Sequence, residues 1–282
     1  MTLGGTKGAT TSGEQRVTFV VPTRNAARTL RACLESIRRQ DHPDVELVVV
    51  DNSSTDQTVE IARDIADVVA TGGPERSAQR NQGAALATGS VLVFADADMV
   101  FEPSVARDAF RLLGAGSDPG VGAVVIPELA FGTGFWARCR VLEKELYLGD
   151  PAVEAARAVR ADDFARTGGY DESLVGPEDW DLADRVVAVG ARRLDRTAGR
   201  VWHDEGRIAL RAAFRKKRYY GRGVAVYLEQ PNRRRLPRRA LNEPLRIARR
   251  PHLAAGLAVL KFVELSGIAT GVVDTRLRRA SS

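Results

Sequence analysis

Asp96 and Asp98, one alanine apart, close the stretch VLVFADAD at 91–98. The residues before them are almost purely apolar and β-favouring. A short apolar run with no polar face reads as a strand buried on both sides of a sheet. Ligands of open α/β sheets bind at the carboxyl ends of such strands. The aspartate pair therefore emerges where a ligand would sit. In an extended chain the two side chains point the same way. Two anionic oxygen donors on one side suit a hard divalent cation, Mg²⁺ or Mn²⁺, which could hold a diphosphate. A strand ending in a polar turn with two solvated aspartates has the same pattern, and the motif alone does not separate the two.

A second pair, Glu178 and Asp179, opens the run EDWDLADR at 178–185. Two carboxylates at a helix N-terminus are favoured by the helix dipole, which is their plain structural reading. His203 stands beside Trp202, and a lone histidine there reads most simply as packed or at the surface. Three histidines and two cysteines in all leave little for a zinc site. Cys33 and Cys139 alone argue against a disulfide framework and fit a reducing compartment.

The elements that must position these residues alternate along the chain. VTFVV at 17–21 is the first strand, ended by Pro22, and Asn25 can cap the helix that follows. VELVVV at 45–50 is the second strand, with Asp51 at its carboxyl end. Ser54 and Gln57 form a capping-box pattern for a helix over 55–65. A short strand at 68–70, a helix over 76–87, the strand at 91–95, a helix over 104–113 and a strand at 121–126 follow. Such alternation predicts an α/β fold with a mostly parallel sheet flanked by helices. Helices are then expected over 134–148, 162–167 and 178–189, with a strand at 158–160 between the first two. A helix over 207–228 carries Arg215-Lys216-Lys217-Arg218 and Tyr219-Tyr220. An Arg/Pro linker at 230–239 leads to an apolar helix over 251–273.

Among 282 residues, 44% are hydrophobic and 28% charged, an ordinary globular composition. Residues 1–15 are Gly/Thr/Ser-rich and read as a disordered leader with no signal peptide. The net charge of +6 hides an asymmetry. Residues 1–199 hold 22 Lys/Arg and 30 Asp/Glu; residues 200–282 hold 20 and 6. The basic end predicts a polyanionic partner, an anionic membrane surface or a nucleic acid. No run of 18 uncharged apolar residues demands a membrane span. Lys261 and Glu264 interrupt the 251–273 stretch, so that helix is expected to lie on a bilayer or pack against the body.

Taken together, VVPTRN at 20–25, VVVDNSSTD at 48–56, QRNQGAALATGSVLVFADAD at 79–98, GGYDE at 168–172 and EDWDLADR at 178–185 resemble glycosyltransferase family 2. The resemblance covers about residues 16–205, in order and with plausible spacing. It implies the GT-A fold, a Rossmann-like nucleotide-diphospho-sugar transferase, and inverting transfer from a nucleotide sugar. It divides the chain into a leader at 1–15, a catalytic domain at 16–205 and a basic helical region at 206–282. Within the catalytic domain, 16–100 would bind nucleotide and 101–205 the acceptor.

Residue by residue, the resemblance implies that Pro22 and Thr23 line the nucleotide pocket and that Asp51 binds uracil or ribose. Arg80 would lie near the donor, Asp96 on the ribose or metal, and Asp98 on the metal. Asp179 would be the general base, with Glu178 and Trp180 on the acceptor side. His203 would be a late ligand to metal or diphosphate. Arg76, Arg80 and His203 could stabilise the leaving diphosphate. Ala26 stands where the family often has an acidic residue, and the C-terminal segment lacks the multi-span region of processive polymer synthases.

The cofactor expected is Mn²⁺ or Mg²⁺. The expected partners are a nucleotide sugar, UDP-linked by family frequency, and a glycan, cell-envelope or lipid-linked acceptor. The expected place is the cytoplasm, peripheral on the inner membrane face. A sugar nucleotidyltransferase is the alternative enzyme, disfavoured because GGYDE and EDWD belong to the acceptor half of glycosyltransferases. A nucleic-acid binder acting through the basic tail is the alternative from another class. Only Tyr219-Tyr220 interleaves aromatics with cations, so nucleic acid is the less favoured partner.

Overall fold

Residues 15–150, 153–190, 192–227 and 244–280 are described by the computed structural model. The leader at 1–15, Gln15 apart, and the Arg/Pro linker at 230–239 lie outside them. The chain runs β1 (Val17–Thr23), α1 (Ala27–Arg38), β2 (Val45–Asp51), α2 (Thr58–Ile65), β3 (Val68–Thr71), α3 (Arg76–Leu86) and β4 (Val91–Phe94). It continues through β5 (Met99–Phe101), α4 (Val105–Leu113), β6 (Val121–Val125), β7 (Glu128–Thr133), α5 (Phe135–Tyr147), β8 (Ala156–Arg160) and α6 (Ala161–Arg166). Then come α7 (Glu178–Ala188), β9 (Arg193–Arg196), β10 (Val201–Arg207), α8 (Leu210–Tyr227), α9 (Pro244–Arg249) and α10 (Pro251–Ala280).

A seven-stranded sheet has the order β3-β2-β1-β4-β8-β6-β9. All its pairings are parallel except those of β8, which runs against β4 and β6. Strand alternation splits the core in two. Val17, Phe19, Val21, Val91 and Val93 face α1 and α4; Val20, Leu92 and Phe94 face Phe164, Tyr170 and Leu182. Both faces are apolar, as expected of a covered parallel sheet. A small second sheet, β5-β10-β7, sits at the carboxyl end of β4. A third apolar cluster joins Cys139, Leu142 and Leu146 of α5 to Leu253 and Leu260 of α10.

Several local expectations are corrected. Pro22 does not end β1; it pairs with Val50. The β4 ladder stops at Val20, so nothing on that side requires the missing proline N–H. Asn25 does not cap α1. It sits at φ 50°, and its Oδ1 accepts from the Thr55 N–H at 2.9 Å. The start of α1 is held instead by the next loop, where the Ala26 N–H donates to Thr58 Oγ1 at 2.7 Å. The capping box is absent as well, because Ser54 Oγ donates to Asp51 and α2 begins only at Thr58. After Phe94 the chain is not extended: Met99 N–H donates to Asp96 O at 3.1 Å, closing a turn. The two aspartates therefore diverge to different partners. Strands β5, β7, β9 and β10 were not expected as strands: β5 is only three residues long, and β7, β9 and β10 mix polar with apolar residues.

Helix α3 lies unusually close to the sheet. A Cβ on Gly83 would stand 2.3 Å from Val20 Cγ1. Since cores resist added methyl groups, Gly83→Ala is expected to destabilise the protein by about 1–3 kcal/mol. Urea denaturation would register this as a lower midpoint at unchanged slope. Adding Val20→Ala should recover part of the loss; a neutral Gly83→Ala would show that α3 can move away freely.

Candidate active site

The close seat of α3 carries Arg80 over the carboxyl end of β4. Its guanidinium is fully buried. It donates to Asp96 Oδ1 at 2.8 Å and to Asp179 Oδ1 at 2.9 Å, and stands 3.6 Å from Glu178 Oε1. The Tyr170 ring lies 5.1 Å from it, and the Tyr170 hydroxyl donates to Asp179 Oδ1 at 3.2 Å. One turn earlier, Arg76 reaches Glu178 at 3.2 Å. A buried charge is tolerated when paired and hydrogen-bonded, and here carboxylates from two distant segments share one cation. Burial alone would raise the Asp96 carboxyl, but Arg80 and Arg157 outweigh it and hold it far below the usual range. Burial and the neighbouring Asp179 push Glu178 up. Arg80 Nε is buried and has no hydrogen-bond partner among the described residues.

The other aspartate has its own partner. Pairing of β10 with β5 sets His203 opposite Met99. His203 Nε2 lies 3.0 Å from Asp98 Oδ2, and Nδ1 lies 2.9 Å from Glu128 Oε1. Burial opposes charge on the ring, yet hydrogen bonds to the two carboxylates raise its pKa to about 10. Arg157 bridges Asp96 Oδ2 at 3.4 Å and Glu128 Oε2 at 3.2 Å, and Lys144 also pairs with Glu128. Asp98 and His203 thus converge, with Glu128 fixing the ring from behind. Asp96 is committed to arginines. No cluster of three or more His, Cys, Asp or Glu able to hold a metal forms among the described residues. Asp98 and His203 could hold a cation where the metal takes the place of the ring proton between them, its remaining ligands coming from a bound diphosphate and water and not from a closed protein cage.

Two joined cavities flank this array. One, of about 380 Å³, is lined by Pro22, Thr23, Asp96, Asp98, His203 and Lys216, among others. The next, of about 530 Å³, shares Asp96, His203 and Lys216 and extends to Asp179, Lys217 and Tyr220. Trp180 lines a third, of about 180 Å³, again with Asp179. The structure therefore gathers nearly every expected site residue. Asp51 is the exception: it is buried behind Thr23, accepting from Thr23 Oγ1 at 2.9 Å and the Ser54 N–H at 2.8 Å, and does not line the cavity.

Sequence reasoning missed Arg157, Glu128, Lys144 and the cavity role of Lys216 and Lys217. Arg157 lies just before the strand expected at 158–160, which in fact begins at Ala156, and Glu128 opens a half-polar strand that was not expected. The cationic patch on α8 was read as a single surface. It divides: Lys216 and Lys217 line the cavity, whereas Arg218 pairs with Asp274 at 2.7 Å. Burial pushes Lys217 down to about 8, with Glu264 opposing. Tyr219 donates to Glu75, and Tyr220 packs on Arg76 at 5.4 Å. These are internal contacts and give no platform for base stacking.

Residues 18–147 match the profile of Glycosyl transferase family 2. A pre-mycofactocin glycosyltransferase of Mycobacterium tuberculosis is 31% identical over 228 residues, 74% of this chain and 47% of that protein. A PGL/p-HBAD biosynthesis glycosyltransferase of Mycobacterium bovis is 42% identical over 91 residues, 28% of this chain and 34% of that protein. The chain spans about half the length, or less, of these curated relatives. A mannosyltransferase from Pyrobaculum calidifontis, solved with GDP-Man and Mn²⁺, superposes with a TM-score of 0.61 at 21% identity, covering 92% of this chain and 86% of its own. Glucosyl-3-phosphoglycerate synthase from Mycobacterium tuberculosis, solved with Mn²⁺ and UDP, gives 0.52 at 18% identity, covering 78% and 81%. At such identities the likeness is one of fold, and the fold is GT-A.

Removing the central cation should expose its purpose. Arg80→Met would leave buried carboxylates unpaired, costing about 3–5 kcal/mol at pH 7. The deficit should shrink on acidification. In the wild type the folded Asp96 pKa lies below the unfolded one, so its contribution is complete above about pH 4 and fades as pH falls through that range. In the variant, protonation removes the uncompensated charge. Chemical denaturation at pH 7 and pH 4.5 would check this; a pH-independent deficit would mean lost packing alone.

Proposed function

The chain belongs to glycosyl transferase family 2, and we propose that it moves a sugar from a nucleotide-diphospho-sugar to an acceptor hydroxyl by inverting, single displacement. The observation that carries this reading is the Arg80 bridge, which ties Asp96 in one cavity to Asp179 in the next. Donor and acceptor chemistry would then share one wall. Pro22 and Thr23 would receive the nucleoside, while Asp51 acts through Thr23 by fixing its hydroxyl. Asp98 and His203 would hold a divalent cation, Mn²⁺ or Mg²⁺, which when bound supplies Lewis-acid stabilisation of the departing diphosphate.

Asp179 acts as the general base. Both of its hydrogen bonds arrive at Oδ1, leaving Oδ2 for the acceptor hydroxyl. Arg80 and Tyr170 hold the carboxylate in orientation. Glu178 anchors the helix start through the Gly176 N–H, and Trp180 offers a flat apolar wall on the acceptor side. Arg76 and Lys216 add positive charge beside the donor cavity. The donor is UDP-linked in our reading, and the acceptor is a glycan or lipid-linked molecule of the cell envelope met on the cytoplasmic face of the membrane. Two free, buried cysteines suit that reducing side.

Calorimetry with UDP, GDP and dTDP, each with and without Mn²⁺, tests the donor site. One nucleotide should bind in a metal-dependent manner, and Asp98→Ala should abolish that dependence; binding that ignores both metal and Asp98 would refute the assignment. Asp179→Asn should keep nucleotide affinity within a few-fold while lowering turnover by roughly 10²–10⁴-fold. A variant with near wild-type turnover would remove Asp179 as base.

A further inference from the structure

The outward face of α10 is unlike the rest of the surface. Phe262 is 73% exposed, Leu277 63%, Leu265 62%, Val273 53% and Val259 47%. With the exposed Ala255, Ala258 and Ala269 they recur every three or four residues, which places them on one side of the helix. At 1.5 Å per residue the stripe runs about 30 Å, and it carries no charge before Arg276. Isolated exposed apolar residues need no explanation, but a contiguous apolar face of this size marks an interaction surface.

The charges of this helix before Arg276 turn to neighbouring helices. Glu264 pairs with Arg140 of α5, Lys261 pairs with Glu143 of α5, and Asp274 pairs with Arg218 of α8. Burial acts to raise Glu264, but Arg140, Lys217 and Lys261 bring it down to about 2, so it is ionised and fixed in place. By length and composition alone the segment Pro251–Leu277 could cross a membrane. Crossing would strip these ion pairs of their partners on α5 and α8. Lying on a surface keeps them.

We propose that α10 lies along an anionic bilayer, with Val259, Phe262, Leu265, Val273 and Leu277 entering the apolar layer. The charge complement argues for a membrane over a protein partner. Exposed Arg249 and Arg250 precede the stripe and Arg276 stands at its far end, beside Leu277, so cations bracket the apolar strip, the arrangement of a helix at a headgroup boundary. Arg250 reaches Glu145 at 3.3 Å but remains half exposed. The surface stands on this geometry alone. Its tie to function rests on the glycosyltransferase reading: Glu264 and Lys217 line the second cavity, so the docking helix is also a wall of the acceptor site, and a lipid-linked acceptor would arrive where it is used.

Flotation of the full chain with phosphatidylcholine vesicles, with and without 30% phosphatidylglycerol, tests the proposal. Wild type should float with the anionic vesicles, and Phe262→Ser combined with Leu265→Ser should weaken this by at least about tenfold. In a Phe262→Trp variant the indole emission should shift to the blue and be quenched by brominated lipid. No flotation, flotation indifferent to the double variant, or equal flotation on neutral vesicles would overturn the proposal. Light scattering that shows a dimer in the wild type and a monomer in the double variant, without flotation, would assign the face to a second copy and overturn it equally. The double variant should melt as wild type does and keep its nucleotide binding, so failure of docking and failure of the donor-site assignment are read separately.

Discussion

A guanidinium with no exposed surface is costly unless anions surround it, and Arg80 meets that requirement with groups drawn from across the chain. Asp96 follows β4, and Glu178 and Asp179 open α7, some 80 residues later. Neither segment is local to α3. The segments around β4 and α7 are therefore closed on one another by an electrostatic condition as well as by apolar packing. Arg157, reaching Asp96 from β8 and extending to Glu128, continues the alternation of sign towards His203 and Asp98. Each charge faces neighbours of opposite sign, although Arg80 Nε itself is left without a hydrogen bond among the described residues, and such a network specifies one arrangement more sharply than apolar contacts do. Gly83 is the steric side of the same condition: only a helix without a side chain there seats close enough on Val20 to bring Arg80 into the array.

The parallel core was legible because continuous apolar runs such as VTFVV and VELVVV have few other structural solutions. Site residues at strand ends followed from that, since the carboxyl edge of such a sheet is where ligands collect. Caps were not legible. Asn25 and Ser54 have the right chemistry for capping, but Asn25 Oδ1 accepts from the Thr55 N–H and Ser54 Oγ accepts from the Asn25 N–H, and only the fold decides that these two loops are near. The DAD segment failed for a related reason. Period-two reasoning assumes an extended chain, whereas the turn closed between Met99 and Asp96 sends one aspartate to arginines and the other to a histidine. The small sheet was invisible because β7 and β10 are half polar, and their polar residues, Glu128 and His203, are those the site uses.

Charge asymmetry along the sequence was real, but its meaning was divided by the fold. A count of cations in residues 200–282 treats them as one surface. In the folded chain some face the cavities, as Lys216 and Lys217 do; some are consumed in ion pairs, as Arg218 and Lys261 are; others stay in water. Composition constrains what a region can neutralise, while packing decides which charges remain to be neutralised.

Helix α10 shows how a functional cavity can invert the ordinary logic of a surface helix. Such a helix normally turns its apolar side to the core and its charges to solvent. Here Arg140 on α5 is buried beside the second cavity and must be matched, so Glu264 faces inward, as does Lys261, paired with Glu143. Close approach of α8 and α10 serves the same end: Gly267 and Gly271 meet the backbone of α8 at distances where a Cβ would collide. Charged positions on α10 are thereby spent on the interior, and the side left facing out is apolar. A helix that keeps its charges inward beside Leu253 and Leu260 and leaves an apolar face outward is unfavourable in water alone. On the proposed docking the outward medium is itself apolar, and the ion pairs that shape the cavity leave the helix suited to it.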